Sequence, residues 1–330
     1  MQTCNRKLIR SQENDTFTIV NSNMDILPVD KTDLHSLSEF LKRNLVYENI
    51  TEELAKEKIF DDPDFDPEKA LKAIINSEIV GFMQGVVRKF KSRRTGFIKL
   101  FATDEKCRRQ GIASALLKII EEKLWSENIE EIRILDSSPN YLQPGLDPRY
   151  TEAYVFITRR GYEKFDEDVN MEVDLEGQDF FTDREEEDLL GQGIEIKRAS
   201  PEDRQLVFSF VDENFATSRK EVEVSFRNRP ISTHIALKDG EVIAFATYDA
   251  NNLNTGWFGP MGTLKELRGM GVGKVLLKRC LRDIKLQGRK TSTIAWVGPI
   301  AFYGDSVGAN VKRVFWRFKK TRPNRVNPWS

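Results

Sequence analysis

The chain has 330 residues, 39% of them hydrophobic, and its 51 basic and 52 acidic side chains nearly cancel. That balance excludes a global field steering it to nucleic acid or to an anionic membrane, while the apolar content suffices for two cores. No apolar run reaches the roughly 18–20 residues that span a bilayer, and Cys4, Cys107 and Cys280 are too widely spaced for a disulfide framework or a Cys-x-x-Cys zinc site.

A polar tail, residues 1–15, has no signal-peptide core, so the expected compartment is the reducing cytoplasm. Phe17 to Val20 reads as a short strand, and Thr32 to Val46 has helical spacing with Thr32 as a plausible cap. Ala70 to Ile75 and Ile79 to Arg88 flank the turn residues Ser77 and Glu78 as a hairpin. A second apolar run then meets Arg108-Arg-Gln-Gly-Ile-Ala113, and behind it Ile112, Leu116, Ile120 and Leu124 share one helical face. A strand ending near Leu135 leads into a Pro- and Gly-containing insert, Asn140 to Tyr150, of a kind that often walls or covers a binding face. Residues 177–193, with Gly177, Gly191, Gly193 and the acidic run Glu185 to Asp188, form a partly helical boundary.

The order then repeats. Ile194 to Ala199 is a strand, Pro201 opens a helix, and His234 to Leu237 and Glu241 to Tyr248 flank the hairpin signal Asp239-Gly240. Arg268-Gly-Met-Gly-Val-Gly273 follows at an offset of 160 from the first such loop, and Val272, Leu276, Cys280 and Ile284 repeat the buried helical face. Thr95-Gly-Phe-Ile98 matches Thr255-Gly-Trp-Phe258, Thr103 matches Thr263, and Glu78-Ile-Val-Gly-Phe82 resembles Glu241-Val-Ile-Ala-Phe245. The chain is therefore two copies of one domain, residues 16–176 and 194–330, joined by the linker 177–193.

The chemistry expected of the repeated loop comes from its backbone. Amides at a helix start have no intrahelical partner and lie at the positive end of the helix dipole, so a strand, a Gly-rich turn and a helix start cradle a diphosphate. Here the amides belong to Arg268, Gly269, Met270, Gly271, Val272 and Gly273, and in the first copy to Arg108, Arg109, Gln110, Gly111, Ile112 and Ala113.

The element order and the two Arg-x-x-Gly-x-Gly/Ala loops resemble the GNAT acetyltransferases over nearly all of both halves. The resemblance implies an α/β (α+β) fold of two tandem GNAT domains, each a mixed, mainly antiparallel sheet flanked by helices. It implies that the loops hold the pyrophosphate of acetyl-CoA, and that a backbone N–H near Met261 and Thr263, or near Thr103 in the first copy, meets the thioester carbonyl, whose oxygen gains negative charge as an amine attacks. It also implies a tyrosine facing the thioester sulfur as an acid. Tyr303, in Ala301-Phe-Tyr-Gly-Asp-Ser-Val-Gly-Ala309, fills that place although Gly308 lies one residue further on than the usual spacing. Spacing back from Gly161 puts Ile157 there in the first copy, and isoleucine donates no proton, so that copy is expected to be catalytically degenerate.

Asp249 and Asp305 are the candidate bases, each equally readable as a solvated loop carboxylate. With only His35 and His234 in the chain, a histidine triad or a metal site has little material, and no metal is expected. Trp257 and Trp296 read either as core or as an apolar wall for substrate. The basic, aromatic stretch Lys312 to Arg325 reads as a closing strand in preference to a nucleic-acid surface. The leading expectation is an N-acetyltransferase for a primary amine of a small molecule, with an amino sugar as first choice. Its rivals are a non-catalytic CoA-binding regulatory module and a protein or peptide N-acetyltransferase.

Overall fold

The computed structural model describes residues 24–90 and 93–322. The tail, the strand expected at Phe17 to Val20, and Cys4 lie outside them. The chain forms two compact units. The first comprises residues 1–137, 155–165 and 317–330; the second comprises 138–154 and 166–316.

In the first unit β1 (Met24–Pro28) is followed by α1 (Leu34–Asn44), α2 (Glu52–Ile59), β2 (Ala70–Ile75), β3 (Glu78–Phe90), β4 (Arg93–Thr103), α3 (Ile112–Ser126) and β5 (Glu131–Ile134). The helix start is set by Asp30, whose side chain accepts from the N–H of Thr32, so the cap falls two residues before the expected Thr32. The β2–β3 turn places both Asn76 and Ser77 at positive φ, which suits the right-handed twist of a hairpin. β1 to β4 are antiparallel neighbours in order, and β5 joins β4 in parallel. On one face α3 buries Ile112, Leu116, Ile120 and Leu124 as its spacing required; Gly81, Gly85 and Gly96 give these side chains room. α4 (Thr151–Arg159) and β6 (Glu163–Asp174) complete the first copy in sequence.

The second unit repeats the plan. After α5 (Asp183–Leu190), in the expected boundary segment, come β7 (Ile194–Arg198), α6 (Arg204–Asn214), α7 (Arg219–Ser225), β8 (Thr233–Lys238), β9 (Glu241–Tyr248), β10 (Trp257–Thr263), α8 (Val272–Leu286), β11 (Thr291–Ile294), α9 (Ile300–Val307) and β12 (Asn310–Thr321). β7 to β10 are antiparallel, and β11 is parallel to β10. α8 packs Val272, Leu276, Cys280 and Ile284 on one face of this sheet; α6 and α7 pack Val207, Val211 and Val222 with Ile235, Val242 and Phe245 on the other.

The sixth strand of each unit comes from the other copy. β11 pairs with residues 171–174 of β6, and β5 pairs with residues 318–321 of β12. The sequence repeat thus marks copies at 16–176 and 194–330, whereas packing groups the chain with these strand ends exchanged. β12 is a strand, as expected of the basic stretch, but Phe315 and Phe318 are its buried residues while Val311 and Val314 are exposed. Four of its five cations are paired, Lys312 with Glu172, Arg313 with Asp147, Arg317 with Asp136 and Lys320 with Glu121, and the fifth, Lys319, lies over the Phe165 ring. Residues 323–325 of that stretch lie outside the described residues.

Candidate active site

The second unit carries the fuller site. Gly269 and Gly271 stand at φ 89° and 87°, the left-handed region, and bring the chain from β10 into α8. The carbonyl of Gly271 accepts from the N–H of Val275 at 3.1 Å, so the amides of Val272, Gly273 and Lys274 precede the first helical bond. No side chain caps them and no acidic residue lies in that turn. A Cβ added at Gly269 or Gly271 would meet nothing within 4 Å. Open space before uncapped amides, at the positive end of a 15-residue helix, suits a diphosphate. Val272 turns its side chain into the core and leaves only its backbone to the loop; Arg268 and Met270 flank the turn, and the Arg268 Nε reaches the Thr263 carbonyl at 3.4 Å.

The first unit builds the same loop with Arg109 at φ 62° and Gly111 at φ 85°, and with the Gly111 carbonyl accepting from Ala115. Ile112 anchors it from within the core, Ala113 stands where the second unit has Gly273, and Gln110 donates to the Lys106 carbonyl at 3.4 Å. Arg108 leads into the turn, and Arg160 donates to the Ser114 hydroxyl, adding positive charge at the same helix end.

Beside each cradle the sheet opens. β10 and β11 pair only at Trp257 with Thr293 and Phe258 with Ile294, yet β10 runs on to Thr263. Its register against β9 slips between Phe258 and Met261, where two residues oppose one. Beyond the slip the N–H of Leu264 donates to the Ile243 carbonyl at 3.0 Å; by alternation, the N–H groups of Thr263 and Met261 face away from β9, into the opening. Gly273 lets α8 start close to this edge, since a Cβ there would stand 3.3 Å from Met261 Cε and 3.6 Å from the Phe302 ring. The first unit has the same slip at Gln84/Gly85, and the N–H of Asp104 bonds to the Val80 carbonyl, so the Thr103 N–H also faces the opening.

Tyr303 lies on α9, buried against Phe258 and Phe302, and burial pushes its hydroxyl up to about 12, so it stays protonated at neutral pH. The extra residue before Gly308 is absorbed at the helix end. Gly308 is left-handed at φ 67° and bonds to the Gly304 carbonyl, while the N–H of Ala309 reaches back to Tyr303 at 3.3 Å. In the first unit the N–H of Tyr162 reaches back to Ile157 at 3.2 Å, and Phe156 approaches Phe101 as Phe302 approaches Met261. Ile157 thus occupies the tyrosine position.

The two candidate bases are not brought to this opening. Asp249 is buried, and its oxygens accept from the Asn254 N–H at 3.1 Å and the Gln287 amide at 3.2 Å; both bonds hold the β9–β10 loop, in keeping with the loop-carboxylate alternative. Asp305 is exposed on α9, two positions from Tyr303 and hence on a different helical face. His234 and Cys280 are structural as expected. His234 is buried against Asp283 at 2.6 Å, and burial drives the Cys280 thiol well above its ordinary range.

Spacing gave no sign of the company kept by Tyr141. The insert of the first copy, Asn140 to Tyr150, lies within residues 138–154, which belong to the second unit. There the Tyr141 ring stands edge-on between Trp257, at 6.2 Å, and Trp296, at 5.1 Å. Asn251 and Asn252 donate to the carbonyls of Tyr141 and Leu142, and Asn170 donates to Gln143. Burial, followed by the negative charges of Glu221 and Asp168 and against hydrogen bonds from Trp257 and Asn251, raises the Tyr141 hydroxyl well above its ordinary range. A wall or a cover of a binding face was the expectation for this insert; in the structure its Tyr141 packs with the second unit's Trp257 and Trp296.

The sequence pattern of the acetyltransferase (GNAT) family matches residues 34–143 and 196–303. The chain belongs to that family, as a tandem-domain member. No curated protein sequence matches it. Among solved structures it is similar to the GCN5-related glucosamine N-acetyltransferase region of a fungal multi-domain GH3 β-N-acetylglucosaminidase, with a TM-score of 0.76 and 16% identity over 90% of this chain; it spans only 38% of that chain. A GCN5-related N-acetyltransferase from Sphaerobacter thermophilus matches with a TM-score of 0.67 at 14% identity, covering 92% of this chain and 97% of its own. A tandem GNAT protein of the clavulanic acid biosynthesis pathway matches at 0.63 and 14%, covering 91% and 99%. At these identities the likeness is one of fold, and the fold is that of acyl transfer.

Among the described residues no group of His, Cys, Asp and Glu is arranged to hold a metal, and no helix is long and apolar enough to cross a membrane.

Proposed function

We propose that the second unit transfers an acetyl group from acetyl-CoA to the primary amine of a small molecule, an amino sugar being the first class to try. What supports this reading is that the uncapped amides of α8, the outward N–H edge of β10 and the ring of Tyr303, packed on Phe258 where β10 and β11 last pair, belong to elements around one strand opening. The amides of Gly271, Val272 and Gly273 suit the pyrophosphate. Acetyl-CoA supplies the activated acyl group. The N–H of Met261 or Thr263 suits the carbonyl oxygen, where charge develops in the transition state. Tyr303, kept protonated by burial, suits the leaving sulfur as proton donor. The first unit keeps a cradle but has Ile157 in place of the hydroxyl, which supports coenzyme binding without transfer. The amino-sugar choice draws on the glucosamine N-acetyltransferase region among the similar structures.

The test is thiol release from acetyl-CoA with glucosamine, linear polyamines, aminoglycosides and lysine peptides. Turnover with glucosamine or another small amine is expected. Release with peptides alone would move the acceptor to proteins, and release with no amine would leave a CoA-binding regulatory module.

A further inference from the structure

Trp296 lies two residues past the end of β11, where β10 and β11 part, and has φ 50°. A left-handed backbone is rare for a bulky side chain and persists only where its surroundings enforce it. The first unit also has a left-handed residue after its fifth strand, Leu135 at φ 68°, one position earlier in register, and in register with Trp296 it has Asp136, so the indole is particular to the second unit. The restraints on Trp296 are explicit. Its N–H donates to Asn170 Oδ1 at 3.0 Å, the next N–H, of Val297, donates to the Val169 carbonyl at 3.0 Å, and the Tyr141 ring meets the indole at an interplanar angle of 88°. Trp257 and Tyr141, the inner members of this aromatic row, are each 5% exposed, whereas Trp296 is half-buried. The row therefore ends in one indole accessible at the strand opening. Asp168, on β6 two residues before Asn170, and Glu221, on α7, both act on the Tyr141 hydroxyl, so two carboxylates belong to the same neighbourhood.

We propose that Trp296 is the wall against which the acceptor lies, that Tyr141 positions it, and that the acceptor is a cationic primary amine carried on a saturated, hydroxylated ring. An indole face offers a broad apolar platform for ring C–H groups, and its negative quadrupole attracts an ammonium within about 6 Å. The carboxylates of Asp168 and Glu221 favour the same charge, drawing the amine in before it loses its proton. A linear amine gains the charge attraction but little of the platform. This rests on the transferase reading of the second unit and adds its acceptor specificity. It also assigns a role to the insert, which belongs to the first copy in sequence and supplies a positioning residue to the second copy's site.

The experiment compares glucosamine with 1,4-diaminobutane as acceptors for the full chain, its Trp296→Ala and Trp296→Phe variants, and its Tyr141→Phe and Tyr141→Leu variants. Acetyl-CoA binding by calorimetry serves as the control for an intact second unit. Trp296→Ala should raise the KM for glucosamine about tenfold or more, with acetyl-CoA affinity unchanged and with less than about twofold change for diaminobutane. Trp296→Phe should recover most of the loss. Tyr141→Leu should raise the glucosamine KM with little effect on kcat, and Tyr141→Phe, which keeps the ring, should recover most of that loss. An unchanged glucosamine KM in Trp296→Ala, or an equal loss for both amines, overturns the wall while leaving the transferase reading intact. A parent chain that prefers the linear amine overturns the ring class. If Trp296→Ala loses acetyl-CoA binding, Trp296→Leu decides: with acetyl-CoA binding as in the parent, a raised glucosamine KM supports the wall, and a parent-like KM overturns it. A parent chain that turns over no amine removes the transferase reading, and this proposal with it.

Discussion

At the bulge where the fourth strand of each unit leaves its neighbour, the second unit has Gly259 and the first has Lys99. A Cβ at Gly259 would meet nothing within 4 Å. Lys99 is buried, bonded to Asp62 and to the Lys58 carbonyl, and Arg88 grips the same Asp62 through two bonds of 2.6 Å while reaching Asp64 and the Ser137 carbonyl. Burial favours a neutral Asp62, but Lys99 and Arg88 override it and hold the carboxyl at about 2; burial in turn pushes Lys99 down to about 7 against the pull of Asp62. One unit keeps the bulge open beside a protonated tyrosine. The other fills it with an internal ion network beside Ile157. The same fold thus leaves the bulge open in one unit, where the proposed reaction would take place, and fills it with buried ion pairs in the other, and the difference rests on single side chains at matched positions.

The sharpest way to break the comparison is Tyr303→Phe. Turnover should fall about a hundredfold or more, the usual scale for a lost acid, with acetyl-CoA affinity unchanged; Ile157→Phe should leave turnover at the parent value. Steady-state kinetics with calorimetry decide, and retained turnover in Tyr303→Phe would take the hydroxyl out of the reaction.

Next in size are the paired cradle changes. Gly271→Val puts a β-branched residue at φ 87° and a side chain into open space, and should weaken acetyl-CoA binding about tenfold or more and abolish turnover at low coenzyme. Gly111→Val should remove a separate binding event and spare turnover. Calorimetry should count about two coenzyme molecules for the parent and about one for each variant; one for the parent would mean that only one cradle is live.

A smaller effect is expected in the packing beneath the opening. Gly262 matches Ala102 of the first unit, and a Cβ at Gly262 would stand 2.6 Å from the Phe215 ring. The first unit has Leu45, the smaller side chain, at the matching end of α1. Gly262→Ala should cost about 1–3 kcal/mol of stability by overpacking. Adding Phe215→Leu should return much of it, which chemical denaturation can read.

Lys99→Met gives the finest distinction. Between about pH 7 and the ordinary lysine range near ~10.4, the unfolded chain holds a proton that folded Lys99 has released, so this lysine makes stability rise with pH across that window. The variant should show a flatter dependence there. An unchanged slope would mean that Lys99 keeps its charge throughout.

The sequence by itself determined the duplication, both Gly-rich turns, the helix faces of α3 and α8 and the tyrosine–isoleucine difference, because each is written in local spacing or in the backbone freedom of glycine. It also marked both hairpins, the second at Asp239–Gly240 as found and the first at Ser77–Glu78, one residue beyond the observed turn at Asn76–Ser77. What tertiary structure alone decided are the meetings of residues far apart in the chain: the exchanged sixth strands, the insert that brings Tyr141 between Trp257 and Trp296, and the hydrogen bonds that commit Asp249 to its loop. Periodicity fixes which face of an element is apolar, but two strands of the same pattern are interchangeable partners until the rest of each core is packed, so the choice between them is made in three dimensions.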